Sequence, residues 1–239
     1  GQEICAISGG ENPDLAGRVY CWGNTNNQML ARVVQDGVQY DPVARPIVNA
    51  EVDTPQFQTP IQSVRTNLSY AQACLIDAGG RIFCWGGYSP ETFWVLFPDF
   101  DTDRPRNAHS SRPQMLLPDT SGVRALAVGF NGLCFIDVDH RVQCVGSNSY
   151  LKLGNGSSVD FSPTPVMVQG LPAGNMLHIA AGVDVYCALA ADQTVSCWGN
   201  NEQRQVGYFE RIEQGTAFQH PNIDQATNLN LTYTTTCSL

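Results

Sequence analysis

The sequence holds a single lysine, Lys152, among 239 residues, and only 15% of its residues are charged. Thirteen basic residues face 22 acidic ones, for a formal charge of −9. A surface that tracks phosphates needs clustered Lys and Arg, so no nucleic-acid partner is expected. No apolar run approaches the roughly 20 residues of a transmembrane helix, so no membrane span is expected either.

The usual signatures of chemistry are also missing. There is no C-x-x-C, which removes zinc ribbons and thioredoxin-like redox work. There is no G-x-S-x-G for a nucleophile elbow, no P-loop lysine and no G-x-G-x-x-G opening a helix. The four histidines, His109, His140, His178 and His220, lie far apart without ligand spacing. The expectation is a protein that is not an enzyme and that carries no cofactor.

What the chain does have is 22 glycines, 14 prolines and nine cysteines. Eight of the cysteines fall into pairs with one pattern. Cys187 and Cys197 are equidistant from Asp192, so they face each other across a hairpin turning there. Leu189 and Val195 are the next pair on that face, because strand side chains alternate with period two. Facing residues of an antiparallel ladder bring their Cα atoms to roughly 4.5–5.5 Å, within the range of a disulfide. The object recurs as Cys74–Cys84 with Ile76 and Ile82, and as Cys134–Cys144 with Ile136 and Val142. It recurs again as Cys5–Cys21 with Ile7 and Val19, across a longer loop. Four such pairs make an internal repeat. Disulfides in hairpins imply an oxidising compartment, hence a secreted, extracellular protein.

The repeat divides the chain into 1–16, the close of a preceding unit, then 17–79, 80–138, 139–192 and 193–239. Trp22, Trp85, Val145 and Trp198 hold one position, 63, 60 and 53 residues apart. Units of that length, rich in turns and without helical periodicity, predict an all-β chain of four-stranded propeller blades, about four being present. The segment 35–60 reads as loop with at most a short strand.

The order V-x-C-W-G-x-N, L-G, P-x-x-V, A-A-G, C-A-L resembles the repeats of the regulator of chromosome condensation family. It is carried here by Cys144–Leu189 and by each C-W-G. The resemblance implies a β-propeller, commonly of seven blades. It gives no support for carrying over that family's exchange-factor residues, because the G-Q-L-G segment is only echoed, at Leu151–Gly154 and Gln205–Gly207. The position two residues before C-A-L also departs from the family's histidine, with Gln72, Gly132, Val185 and Thr235.

Several residues stand out as candidates. Asn67, Asn155 and Asn230 open N-x-S/T sequons and are expected glycosylation sites. Asn67 and Asn230 each precede a hairpin cysteine by seven residues. Phe93, Trp94, Phe97 and Phe100 either pack on a neighbouring blade or form a partner-binding loop. Asp99, Asp101 and Asp103 offer hard oxygen ligands but lack the glycine and distal glutamate of an EF-hand. They read as a solvated acidic loop, with calcium the alternative. Cys237 holds the position of Cys5, Cys74, Cys134 and Cys187, so its partner is expected beyond Leu239. The expectation is a segment of a longer propeller, with Cys237 otherwise unpaired or bridged to another molecule. The functional expectation is a secreted, non-enzymatic module whose partner is a protein or further propeller repeats. The alternative is a carbohydrate-binding propeller, with a glycan as ligand.

Overall fold

The structure, a computed structural model, describes residues 3–9, 17–24, 30, 40–47, 60–67, 72–86, 110–116, 121–207, 213–231 and 236–238. The chain divides into two compact units, Gly1–Gly122 and Val123–Leu239. Among the described residues the regular structure is β-strand throughout, apart from one 3-10 turn at Ser149–Leu151.

In the first unit β1 (Glu3–Ile7), β2 (Val19–Asn24) and β3 (Tyr40–Pro46) form one sheet in that order. A second sheet runs β4 (Ile61–Asn67), β5 (Gln72–Asp77), β6 (Ile82–Gly86) and β7 (Ser110–Leu116). The second unit begins with β8 (Ala125–Gly129), β9 (Gly132–Ile136), β10 (Val142–Ser147) and β11 (Phe161–Met167). It continues with β12 (Met176–Ala181), β13 (Val185–Ala190), β14 (Val195–Asn200) and β15 (Glu213–Gln219), then the pair β16 (Leu229–Leu231) and β17 (Thr236–Ser238). Strands pair antiparallel with their sequence neighbours, the meander of a propeller blade.

The sheets run out of phase with the sequence repeats. A repeat opens on the second hairpin strand of one sheet, β2, β6, β10 or β14, and closes on the second strand of the next. The segment 35–60, read as loop with a short strand allowed, carries β3. Prolines explain why the last strands of these sheets were hard to see. Pro42 and Pro46 lie in β3, Pro113 in β7, and Pro163 and Pro165 in β11, each the outermost strand of its sheet. Proline gives up a ladder hydrogen bond, and an edge strand can spare one.

The hairpin register is the expected one. Cys5 pairs with Cys21, Cys74 with Cys84, Cys134 with Cys144 and Cys187 with Cys197. All four pairs are bridged, with Cα separations of 4.2, 4.1, 4.0 and 4.0 Å. The glycine of each C-[W/V]-G has a physical duty. The pairing of the second hairpin strand to the strand that follows it slips between Cys21 and Gly23, Cys84 and Gly86, Cys144 and Gly146, and Cys197 and Gly199. That slip is a β-bulge, and all four glycines have positive φ, from 77° to 115°.

Bulge and alternation together decide the packing. In the second unit Tyr186, Ala188 and Trp198 of one blade are buried against Cys134, Ile136, Val142 and Cys144 of the blade before. Val185, Cys187, Leu189, Val195 and Cys197, on the opposite face, pack with Leu229 and Leu231. The first unit repeats the rule, with Leu75, Phe83 and Trp85 against Val19 and Cys21. One face of a blade therefore carries tryptophan or, at Val145, valine, and the other its disulfide; within the second unit the Cys134–Cys144 bridge lies between two blades.

Two of the hairpin turns are built by a carboxylate. Asp77 accepts the N–H groups of Gly79 and Arg81 and the Arg81 guanidinium; Asp137 does the same with Asp139 and Arg141, and also takes the Gln143 amide. The residue closing each turn is left-handed: Gly80 (φ 73°), His140 (φ 62°) and Gln193 (φ 70°). That is the geometry of a three-residue hairpin loop with its bulge, which favours glycine.

Candidate functional site

Two equivalent loops follow the bulges, at 148–154 after β10 and 201–207 after β14. Asn148 Oδ1 accepts the Leu153 N–H at 3.0 Å, and Asn201 Oδ1 accepts the Val206 N–H at 3.0 Å. Both asparagines are buried, and Leu153 and Val206 plug the core. The backbone bonds also match: Leu151 to Asn148 and Gly154 to Leu151, against Arg204 to Asn201 and Gly207 to Arg204. The loops differ in backbone conformation. The second makes its turn with one left-handed non-glycine residue, Arg204 (φ 62°); the first uses two in succession, Tyr150 (φ 57°) and Leu151 (φ 56°). An L-residue held there costs roughly 1–2 kcal/mol. Tyr150 therefore carries strain that the shared hydrogen bonds do not require.

Lys152 occupies the position of Gln205 in the sister loop. Its side chain is 1% exposed, with Nζ 2.7 Å from Asp184 Oδ1 and donating to the Phe130 carbonyl at 2.6 Å. The ammonium also lies 5.1 Å from the centroid of the Phe130 ring. Burial pulls Lys152 below the ordinary lysine range, and the Asp184 carboxylate draws it partly back. Trp198 Nε1 donates to the Lys152 carbonyl at 3.0 Å, and Tyr186 stacks on Trp198. Burial, then the nearby Asp184 charge, pushes the Tyr186 phenol well above its ordinary range. Lys152 thus ties its own blade to the next through Asp184, between β12 and β13.

Beside this pair opens a cleft of about 260 Å³, lined by Tyr150, Asp184, Asn200, Glu202, Gln203 and Gln205, with Val183 and Val185 behind them. Its polar walls brace each other. The Asn200 N–H donates to the Asp184 carbonyl at 2.8 Å, and Asn200 Oδ1 accepts the Glu202 N–H and the Gln205 amide. Gln205 Oε1 in turn accepts the Gln203 N–H at 2.9 Å. The Tyr150 side is open, the residue being 38% exposed.

The candidates from the sequence do not gather at this cleft. Asn155 is half-buried in a turn where its Oδ1 accepts the Ser157 N–H at 3.1 Å. Asn230 is exposed in β16, with Cys237 of β17 as its backbone partner. Asn67 ends β4. Phe93, Trp94, Phe97, Phe100, Asp99, Asp101 and Asp103 lie outside the described residues. Trp85 and Trp198 are fully buried, as blade-packing residues would be. His140 contacts the Met176 carbonyl, His178 is exposed, and His220 sits in a separate turn. Among the described residues no three His, Cys, Asp or Glu side chains are grouped to hold a metal. Lys152 and Asp184, 32 residues apart, were not singled out as a pair from the sequence. The available signal was that the one lysine falls where the sister loop has Gln205.

No protein-family model matches the chain, and no curated protein sequence matches it. Solved structures do. Human WBSCR16 matches with a TM-score of 0.74 at 15% identity, over 100% of this chain and 57% of its own. Yeast RCC1 (Prp20), solved bound to Kap60, matches with a TM-score of 0.74 at 17% identity, over 99% of this chain and 51% of its own. Prp20p from Saccharomyces cerevisiae, in a study that also treats its binding to Gsp1p and histones, matches with a TM-score of 0.70 at 16% identity, over 99% and 53%. The chain spans a little over half the length of these structures. Blade meander, hairpin register and bulge agree with that likeness, and the chain has the fold of the RCC1-like β-propellers.

Proposed function

We propose that the chain is a secreted, non-enzymatic propeller module that holds a protein partner on its loops. The observation that carries the reading is the set of four disulfides, one in each successive hairpin. Closing a loop of ten residues stabilises by about 2.7 kcal/mol in the chain-entropy account, and such bridges persist in oxidising compartments. They hold the hairpins fixed while the loops between strands remain free to vary, which is where binding residues usually sit. The partners of the yeast propeller, Kap60, Gsp1p and histones, support a protein as the ligand class without naming this chain's own.

Two measurements on natural material test the proposal. Non-reducing peptide mapping is expected to return the four intra-hairpin bridges, with glycans on Asn67, Asn155 and Asn230. Free thiols and bare asparagines would remove the case for secretion. Cross-linking in the producing fluid, followed by titration of the purified partner, is expected to give a dissociation constant of about 1 μM or tighter, near −8 kcal/mol. Catalytic turnover with no such complex would overturn the binding role.

A further inference from the structure

The cleft beside the Lys152–Asp184 pair is lined by polar side chains and one exposed aromatic ring. We propose that it binds a neutral sugar ring, with Tyr150 as the stacking face and Asp184, Glu202, Gln203 and Gln205 as hydroxyl partners. The proposal stands apart from the protein-binding role, and either can fail while the other holds.

The chemistry of the walls selects the ligand class. Two carboxylates and no cationic side chain line the cleft, which disfavours phosphate and other anions. Asp184 is already matched by the Lys152 ammonium, so it acts as a fixed acceptor and leaves little unbalanced charge to draw a cation. The amides of Gln203 and Gln205 bring donors as well as acceptors, and a cation can use only the acceptors. A hydroxyl both donates and accepts, so a ring of them satisfies both sorts of group. The volume, about 260 Å³, falls just below the roughly 300–1,000 Å³ of pockets for drug-sized ligands and suits one ring more than a chain.

Tyr150 supplies the independent observation. The sister loop makes the same asparagine-anchored hydrogen bonds with Gln203, the equivalent of Tyr150, outside the left-handed region, although only the Tyr150 loop adds a bond from the Lys152 N–H to the Ser149 carbonyl, at 3.4 Å. The second left-handed residue is therefore not needed for the hydrogen bonds the two loops share. Its effect is to hold an aromatic ring on the open side of the cleft, 38% exposed. An aromatic face against the C–H face of a pyranose is the apolar half of sugar binding, and the braced amides are the polar half.

The test uses the full chain with its disulfides intact. Methyl glycosides of mannose, galactose, glucose and N-acetylglucosamine are screened by ligand-observed NMR and then titrated, with arginine amide and inorganic phosphate as the other arms. At least one glycoside is expected to bind with a dissociation constant of about 1 mM. Tyr150→Ala and Gln203→Ala should each weaken it about tenfold, and Tyr150→Phe should keep it. Tyr150→Gly should raise the melting temperature, because glycine accepts the left-handed conformation, while losing the sugar. Failure of every glycoside, unchanged affinity in Tyr150→Ala, or binding of arginine amide or phosphate in the glycosides' place would overturn the proposal. So would a lowered melting temperature in Tyr150→Gly.

Discussion

Removing Asp184 should harm this protein more than removing Lys152, although the two form one ion pair. The Lys152 side chain is 1% exposed and the Asp184 side chain 15%. In Asp184→Asn the ammonium loses its counter-charge and is left with neutral oxygens, that of the new amide and the Phe130 carbonyl at 2.6 Å, and with the Phe130 ring. Breaking a buried pair so that a charge stays buried costs about 3–5 kcal/mol. In Lys152→Met the apolar chain fills nearly the same space, and the carboxylate left behind still reaches water. The cost there should be about 2 kcal/mol or less. Urea unfolding at pH 7 without reductant measures both. The pH dependence gives a second reading with a fixed sign. Burial lowers the folded lysine below its unfolded value of about 10.4. Between those two values the unfolded chain binds more protons, so this group makes stability rise with pH. Asp184→Asn removes the charge that held the ammonium up, so its deficit should begin to shrink at lower pH than any rise in the parent. Equal costs for the two variants, or a deficit in Asp184→Asn that stays constant from pH 7 to 10, would refute the account.

Burial also orders the disulfides. Cys5 is half-buried, whereas both cysteines of the other three bridges are 1% exposed or less. Mild reduction followed by alkylation and peptide mapping should therefore open Cys5–Cys21 first, and equal loss of Cys134–Cys144 would contradict it. Gln193 is exposed at φ 70°, where the equivalent turn has Gly80, so Gln193→Gly should stabilise by about 1 kcal/mol, seen as a higher melting temperature. Burial alone would raise the Asp137 carboxyl, but the Arg141 N–H, the Gln143 amide, the Arg141 charge and the Asp139 N–H outweigh it and leave the group lowered. Its contribution is present above about pH 4 and is lost as pH falls through the lowered folded value. The stability gap between the parent and Asp137→Ala should therefore close in acid, and a gap unchanged between pH 6 and pH 2.5 would be the contrary result.

The sequence by itself determined the parts of this protein that depend on near neighbours along the chain. Cysteines ten residues apart, with apolar residues two positions inward, define a hairpin and its register, because strand side chains alternate with period two. The glycine after each tryptophan or valine marks the bulge, because positive φ is a property of the single residue. The edge strands were harder to read: Phe161–Met167 carries two prolines, and only its outer place in the sheet makes them harmless. Tertiary structure alone decided the rest. Lys152 and Asp184 lie 32 residues apart on successive blades, and no spacing rule links them. The cleft combines Tyr150 from the loop after β10 with residues from the β12–β13 connection and the loop after β14. Its shape follows from how one blade's tryptophan face seats on the disulfide face of the blade before, and packing of that kind depends on side chains distant in sequence.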